Sequence, residues 1–73
     1  MTLHPSTAAL LRWFEHAHLP ADLQVVARPF HTLAHTLAEG MPHGGAELST
    51  ALRKLLEAKD CAVRARIYSA GQE

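Results

Sequence analysis

The chain has 73 residues, of which 48% are hydrophobic and 19% charged, and seven Lys and Arg balance seven Asp and Glu to a formal net charge of zero. This length fits one domain, 1–73, near the lower size limit for a single core, which favours association between copies. The zero net charge disfavours a duplex nucleic acid partner. The sequence contains no apolar run long enough to cross a membrane and no export signal, and its one cysteine, Cys61, excludes an internal disulfide, so we expect a cytoplasmic protein.

The first part of the chain predicts a loose arm followed by a short helix. We expect residues 1–5 to form the arm and Ser6 to cap a helix over about 7–17. Trp13 lies off the centre of the apolar face of this helix. A tryptophan in that position is typical of the rim of a core or of a subunit interface, and it also offers a flat surface on which a base can stack. Pro20 ends the helix because proline cannot continue it.

A second helix is predicted from about Pro20 to Glu39. Its apolar stripe has helical spacing and consists of Leu23, Val26, Phe30, Leu33, Ala34, Leu37 and Met41. Pro29 lies inside the stripe and predicts a bend, because it has no N–H to donate and its ring crowds the preceding turn. Beside the apolar stripe runs a polar one made of Gln24, Arg28, His31 and His35.

A third helix follows a short, turn-rich connection. Gly40 ends the second helix, and the third is predicted to open at Ala46 and Glu47, to run without interruption over 51–67, and to leave 70–73 as a loose tail. Two long helices with so short a link must run antiparallel. The predicted fold is therefore all-α, an antiparallel helical hairpin with the short first helix folded across it.

Two cations share the apolar face of the third helix. Lys59 and Arg66 fall within the same arc as Leu52, Leu55, Leu56, Val63 and Ile67. Each could hold an anionic ligand, or could cover an interface with its aliphatic stem while its charge stays in water. The sequence leaves both interpretations open.

Four other charged residues of this helix are spaced to form ion pairs with one another. Arg53 precedes Glu57 by four residues, and Asp60 precedes Arg64 by four. This spacing predicts intrahelical ion pairs on a solvated face.

The histidines raise the possibility of a metal site. His31 and His35, four apart on one helix, could chelate one ion, and His16 and His18 could add ligands. The glutamate of the zinc-protease signature is missing, however, and four apart also describes one exposed face. The three serines Ser6, Ser49 and Ser69 lie at helix ends, where capping explains them without catalysis. We therefore assign no metal site, and we expect no cofactor, no catalytic residue and no enzymatic activity. Metal binding through His31 and His35 stays open as a third possibility.

The hydrogen-bond donors of the two long helices fit phosphate binding better than metal binding or catalysis. Arg28, His31, Lys59 and Arg66 lie at or near the apolar faces of the two long helices, where guanidinium and ammonium groups can hold phosphates. A site for a nucleotide-sized ligand occupies roughly 300–1,000 Å³, which a three-helix unit of this size can hardly enclose. The site is therefore expected between the copies of a homo-oligomer, whose symmetry would repeat each donor.

The order and spacing of several motifs resemble a known family. The motifs are Phe14-x-His16, Pro20, Leu33-Ala34, Pro42, and Glu47-x-Ser49 leading into Ala51-Leu52-x-Lys54-Leu55-x-Glu57-Ala58. Over about 11–67 the chain is similar to the hairpin domain of phage anti-CBASS and anti-Thoeris proteins, the "sponges" that sequester cyclic nucleotide immune signals. Three departures stand out: His16-Ala17 replaces a Tyr-His pair, Pro29 is added, and an aromatic residue is missing near Cys61.

The resemblance implies a small helical protein that assembles through dimers into rings, typically hexamers, in the cytoplasm of the host cell. Members bind cyclic dinucleotides such as 3′,3′-cyclic GMP-AMP between protomers, and some hold cyclic trinucleotides or cyclic ADP-ribose isomers, without cleaving them. Carried to this chain, the resemblance together with the donor pattern predicts a ligand site made of Trp13, Phe14, His16, Arg28, His31, Lys59 and Arg66. The alternative is a structural or adaptor module whose helices oligomerise and bind only protein.

Overall fold

A computed structural model describes residues 3–72, which fold entirely into helices and connecting turns, with no strand in that range. Helix α1 spans Pro5–Leu11, a 3-10 turn spans Arg12–Phe14, α2 spans Ala21–Gly40 and α3 spans Gly45–Gln72. The all-α prediction is confirmed. Over this part of the chain, no helix combines the length and the apolar character that crossing a membrane requires.

The N-terminal helix begins earlier and ends earlier than predicted. His4, not Ser6, occupies the N-cap, and its Nδ1 accepts a hydrogen bond of 3.2 Å from the backbone N–H of Ser6. Pro5 opens the helix, where a missing N–H costs nothing. The predicted loose arm therefore ends before Pro5, and its residues 1–2 lie outside the described residues. The helix gives way at Leu11 to the 3-10 turn, a tighter winding that is common at helix ends.

Helix α2 matches its predicted bounds to within one residue. Gln24 in its first turn fixes the incoming chain, because its Nε2 donates to the backbone carbonyls of Leu19 at 2.7 Å and of Ala17 at 3.3 Å. Pro29 is accommodated inside the helix. The bend expected there stays a prediction.

Helix α3 is longer than predicted at both ends. It begins at Gly45, whose φ of +61° is a conformation that glycine adopts without strain. Gly44 before it is equally constrained, because a Cβ on this residue would lie 2.6 Å from the Cβ of Leu48. The helix continues to Gln72, so residues 70–72 are helical rather than a loose tail, while residue 73 lies outside the described range. Its 28 residues span about 42 Å at 1.5 Å per residue, which accounts for the long dimension of 44 Å.

The core forms where all the helices meet, and it is centred on small residues of α2. Its buried members are Leu11, Phe14, Ala34, Ala38, Leu48 and Leu52. Alanines on α2 let the backbone of α3 approach closely, so the buried line of α2 runs through Ala27, Ala34 and Ala38. Ala34 of the predicted stripe lies on this line, and Phe30 and Leu37 of the stripe pack partly buried against the core. Leu33 and Met41 of the stripe remain 46% and 47% exposed.

Candidate functional site

The 3-10 turn presents Trp13 to solvent beside the middle of α3. Phe14 of the same turn points into the core, and its neighbour Trp13 is left 67% exposed. The indole borders a cleft of about 330 Å³, which we call the Trp13 cleft. Its lining residues are Trp13, His18, Leu19, Lys59, Asp60, Val63 and Arg64. An aromatic surface, two cations and a histidine thus surround one open space.

Lys59 connects the two sides of this cleft. Its Nζ donates a hydrogen bond of 2.8 Å to the backbone carbonyl of Trp13 and lies 3.4 Å from Oδ1 of Asp60. The side chain is only 12% exposed, so its stem packs while its ammonium stays at the edge. An ammonium has three N–H donors, which leaves one of them for a ligand.

Arg64 lies at the open edge of the Trp13 cleft and is not paired as predicted. Its Nη2 approaches Sγ of Cys61 at 3.3 Å, and Asp60 pairs with Lys59 instead. Within residues 3–72 the ion pairs are His35–Glu39, Lys59–Asp60 and Arg66–Asp22. The prediction that Arg53–Glu57 and Asp60–Arg64 pair along α3 is therefore wrong. Asp60 pairs instead with Lys59, whose ammonium is fixed by its hydrogen bond to the carbonyl of Trp13. Arg64 therefore remains available to a ligand.

Five of the seven predicted site residues do not line the Trp13 cleft. Three of the five lie in the core or on helical surfaces. Phe14, a member of the predicted ligand site, is fully buried in the core and presents no face of its ring to solvent. Arg66 pairs with Asp22 across the two long helices, with 3.7 Å between Nε and Oδ2. Arg28 is exposed on α2, and no ion pair or side-chain hydrogen bond engages it among the residues described.

His16 and His31 meet each other rather than the Trp13 cleft. Their rings are in edge-to-face contact, and the ring of His35 packs against His31 at a tilt. Burial, reinforced by the neighbouring His35 and His16, lowers the pKa of His31 below its ordinary value, and Glu15 opposes that effect. In the described part of the chain no group of three or more His, Cys, Asp or Glu side chains is arranged to hold a metal ion.

A second and larger cleft lies at the other end of the molecule and contains none of the predicted site residues. It has a volume of about 510 Å³ and is lined by His4, Ser6, Thr7, Pro42, His43, Gly45, Ala46, Ser49, Thr50 and Arg53. Part of its polar lining already serves the backbone: His4 caps α1, and Thr50 donates to the carbonyl of Ala46 at 2.9 Å. We call it the Arg53 cleft.

Sequence reasoning missed several residues of the Trp13 cleft. His18, Leu19 and Val63 come from two separate elements, and no periodicity links them. Arg64 carried a usable signal, since it is a cation on the same helix five residues beyond Lys59, but its spacing from Asp60 pointed to an ion pair instead. The contact that assembles the cleft uses a backbone carbonyl, which no side-chain pattern reveals.

Searches against family models, curated proteins and solved structures found no match to this chain. Function is therefore argued from the geometry of the Trp13 cleft and from the motif resemblance alone.

Proposed function

We propose that this protein is a non-enzymatic sponge that binds a cyclic nucleotide immune signal and withholds it from host effectors. The signal would be a cyclic dinucleotide, or a cyclic trinucleotide or cyclic ADP-ribose isomer, bound intact in the host cytoplasm by a phage-encoded protein. The motifs from Phe14-x-His16 to Glu57-Ala58 supply the resemblance on which this class of ligand rests.

The fold proposed for this role is an antiparallel hairpin of α2 and α3. Two contacts at opposite ends of the pair support it. Asp22 in the first turn of α2 reaches Arg66 near the end of α3, whereas Ala38 near the end of α2 shares the core with Leu48 in the first turn of α3. Helices that meet start to end in this way run in opposite directions.

The observation that carries the proposal is the exposed indole of Trp13, fixed beside cations. A base can stack on the free face of the ring, and stacking on an aromatic side chain contributes about 1–3 kcal/mol per base. Arg64, Lys59 and His18 lie around the same cleft and can donate to phosphate or ribose oxygens.

The size of the cleft argues for a site completed by a second copy. At about 330 Å³ it lies at the lower end of the range for small-molecule sites, roughly 300–1,000 Å³, and it is open to solvent. A symmetric contact between two copies would enlarge it and bring a second set of donors, including the exposed Arg28. A dimer, and rings built from dimers up to a hexamer, are the assemblies we propose.

The test is retention of ligand by the purified protein. Each of several cyclic dinucleotides, cyclic trinucleotides and cyclic ADP-ribose isomers is incubated with protein and filtered, and the free ligand is quantified before and after heat denaturation. The proposal expects at least one ligand to be depleted and then recovered intact. Depletion by none of them would refute sequestration, and recovery of a cleaved product would make the protein an enzyme.

A matched pair of aromatic variants places the site. Trp13→Ala should abolish retention, whereas Tyr68→Ala, which removes another exposed ring from α3 outside both clefts, should leave it intact. Equal retention by Trp13→Ala and the unmodified chain would remove the Trp13 cleft from the proposal.

A structural or adaptor module is the second candidate, and specific contacts favour it. Lys59 is engaged by Trp13 and Asp60, and Arg66 by Asp22, so both cations of the leucine face have structural partners. Exposed Val25, Leu33 and Ile67 offer apolar surface to a protein. This candidate predicts oligomers in solution without retention of any cyclic nucleotide.

A further inference from the structure

Three imidazole rings lie in contact, one from the segment before α2 and two from α2 itself. The ring centroids of His16 and His31 are 4.9 Å apart at an interplanar angle of 69°, and those of His31 and His35 are 4.4 Å apart at 42°. His31 is the middle ring. We call this set the histidine cluster, and residues 15–20, which carry His16 to the start of α2, the connecting segment.

The surroundings of His31 disfavour its charged form. Nδ1 of His16 is buried and has no hydrogen-bond partner, so this side of the ring cannot share a positive charge with solvent or with a protein acceptor. Edge-to-face packing at 4.9 Å is favourable between uncharged rings. A positive charge on His31 loses solvation through burial, and any charge on a neighbouring ring repels it.

The charged groups around His31 do not overturn its preference for the neutral form. Over residues 3–72, the charges that act on His31 come from His35 on its own helix and from His16 and Glu15 on the connecting segment. Glu15 favours the charged form of His31, but burial and the two neighbouring histidines outweigh its effect. Glu39 lies beside His35, with 3.9 Å between Oε1 and Nδ1, and the exposed Arg28 precedes His31 by three residues on α2.

We propose that the histidine cluster is a pH-operated latch: with neutral rings it holds the connecting segment against α2, and protonation of its middle ring releases that segment. The backbone N–H groups of Leu23 and Gln24 bond to the carbonyl of Pro20 and so hold the end of the segment on α2. The rest of the segment is fastened by the ring contact of His16 and by the two hydrogen bonds from Gln24 to the carbonyls of Ala17 and Leu19. Release of the ring contact leaves the hydrogen bonds in place.

The latch controls the shape of the Trp13 cleft. His18 and Leu19 of the connecting segment form one side of that cleft, and Lys59, Asp60 and Arg64 of α3 form another. When His16 leaves His31, the first side moves relative to the second. Any effect on ligand retention rests on the proposed function above, but the movement itself requires no ligand.

The direction of the pH effect follows from the lowered pKa of His31. The folded chain prefers the neutral ring of His31, so neutral His31 contributes to the stability of the fold. This contribution is complete above the ordinary histidine pKa of 6.5. It is lost as the pH falls below 6.5 towards the lower pKa of His31 in the folded state. The latch is closed in neutral solution and opens on acidification.

The experiment follows the ring protons of all six histidines by NMR from pH 8 to pH 5, together with the emission of the only tryptophan, Trp13. Emission is recorded in a His18→Gln background, because an imidazolium beside the indole would quench it directly. We expect His31 to titrate below 6.5, with the emission of Trp13 shifting over the same pH interval. A Trp13 signal that does not change over this interval would overturn the latch.

Matched variants identify the group responsible. His31→Gln should abolish the transition, whereas His43→Gln, on the exposed connection between α2 and α3, should retain it. If His31→Gln does not fold, His35→Gln provides the test. Loss of the His35 ring removes a group that lowers the pKa of His31, so the pH at which His31 titrates must rise. No rise in that variant, or a persistent transition in His31→Gln, would refute the proposal.

A repeat at a tenfold higher protein concentration separates the latch from assembly. The latch is intramolecular, so its midpoint should be unchanged. A midpoint that moves with concentration would assign the transition to dissociation of copies and overturn the inference. Neither result depends on whether a cyclic nucleotide binds.

Discussion

The ammonium group of Lys59 donates a hydrogen bond of 2.8 Å to the main-chain carbonyl of Trp13, a residue 46 positions earlier in the chain. This contact fastens the 3-10 turn to the middle of α3. It gives a structural reason for a cation on an otherwise apolar helix face, because the carbonyl at the end of a short helical turn has no acceptor role within the turn itself. The same contact fixes the orientation of the exposed indole.

Removing that contact should destabilise the protein measurably. Lys59→Met keeps the packed stem and deletes the charged donor, and hydrogen bonds to charged groups contribute about 1.5–3 kcal/mol. We expect the free energy of unfolding in urea to fall by about 1–2 kcal/mol, since the contact lies at the edge of the fold. Lys54→Met, the same change at an exposed position of α3, should shift it by less than about 0.5 kcal/mol. Equal stability of the two variants would show that the Lys59 contact does not hold the turn.

Two glycines at the connection between α2 and α3 should respond to alanine in opposite directions. In Gly44→Ala the new methyl would lie 2.6 Å from the Cβ of Leu48 and 3.2 Å from the carbonyl oxygen of Met41, so the backbone must shift. Such overpacking costs about 1–3 kcal/mol. Gly40→Ala meets nothing within 4 Å and lies in the last turn of a helix, so it should stabilise by about 0.5–1 kcal/mol.

Thermal melting of the two glycine variants provides the measurement. For a domain of 60–100 residues, a change of 1 kcal/mol moves the melting temperature by about 4–8 °C. The melting temperature should therefore fall for Gly44→Ala and rise for Gly40→Ala. A rise in both would mean that the close approach of Gly44 to Leu48 is not present in solution.

Truncation of a leucine should cost more stability at the centre of the core than at an exposed position of the predicted apolar stripe of α2. Leu52 is fully buried, and Leu52→Ala should cost about 2–5 kcal/mol through lost burial and the cavity left behind. Leu33→Ala removes the same atoms from a side chain that is 46% exposed and should cost less than about 1.5 kcal/mol. Denaturant unfolding of both variants tests this order. Similar costs would indicate that Leu33 is buried in solution by another copy.

Much of the fold could be predicted from local pattern. The apolar spacing of α2 and α3, the glycines between them and Pro20 before them specify two long helices, because these signals act within a few residues of the chain. The exact buried line of α2 could not be predicted. The fully buried residues of α2 are Ala27, Ala34 and Ala38, and of these the predicted stripe contained only Ala34. Which side of an apolar face is buried depends on a neighbouring helix that the pattern does not include.

The candidate site was less predictable for a related reason. Trp13 and Lys59 were individually recognisable as an off-centre aromatic residue and a misplaced cation, and the structure brings them into one cleft. Their link runs through a backbone carbonyl and depends on the early end of α1, where a 3-10 turn directs Phe14 inward. The cap at His4 likewise depends on a side chain that propensity ranks below serine.

Arg28 provides the sharpest test of where a ligand binds. It is exposed on α2, and among residues 3–72 no ion pair or side-chain hydrogen bond engages it, so Arg28→Ala should leave folding and oligomeric state unchanged. If Arg28 holds a phosphate, its loss should weaken ligand retention about tenfold or more, because a charged hydrogen bond contributes about 1.5–3 kcal/mol. Retention is measured by equilibrium filtration and assembly by sedimentation without ligand.

Arg53→Ala is the matched control for Arg28→Ala, since it makes the same change at an exposed position that borders the Arg53 cleft. Retention should be unaffected in this variant. If Arg53→Ala abolishes retention and Arg28→Ala does not, the ligand binds in the Arg53 cleft, and the assignment of Arg28 is wrong. Dissociation of the assembly by Arg28→Ala in the absence of ligand would instead make Arg28 an interface residue, because only a contact between copies would then account for its effect.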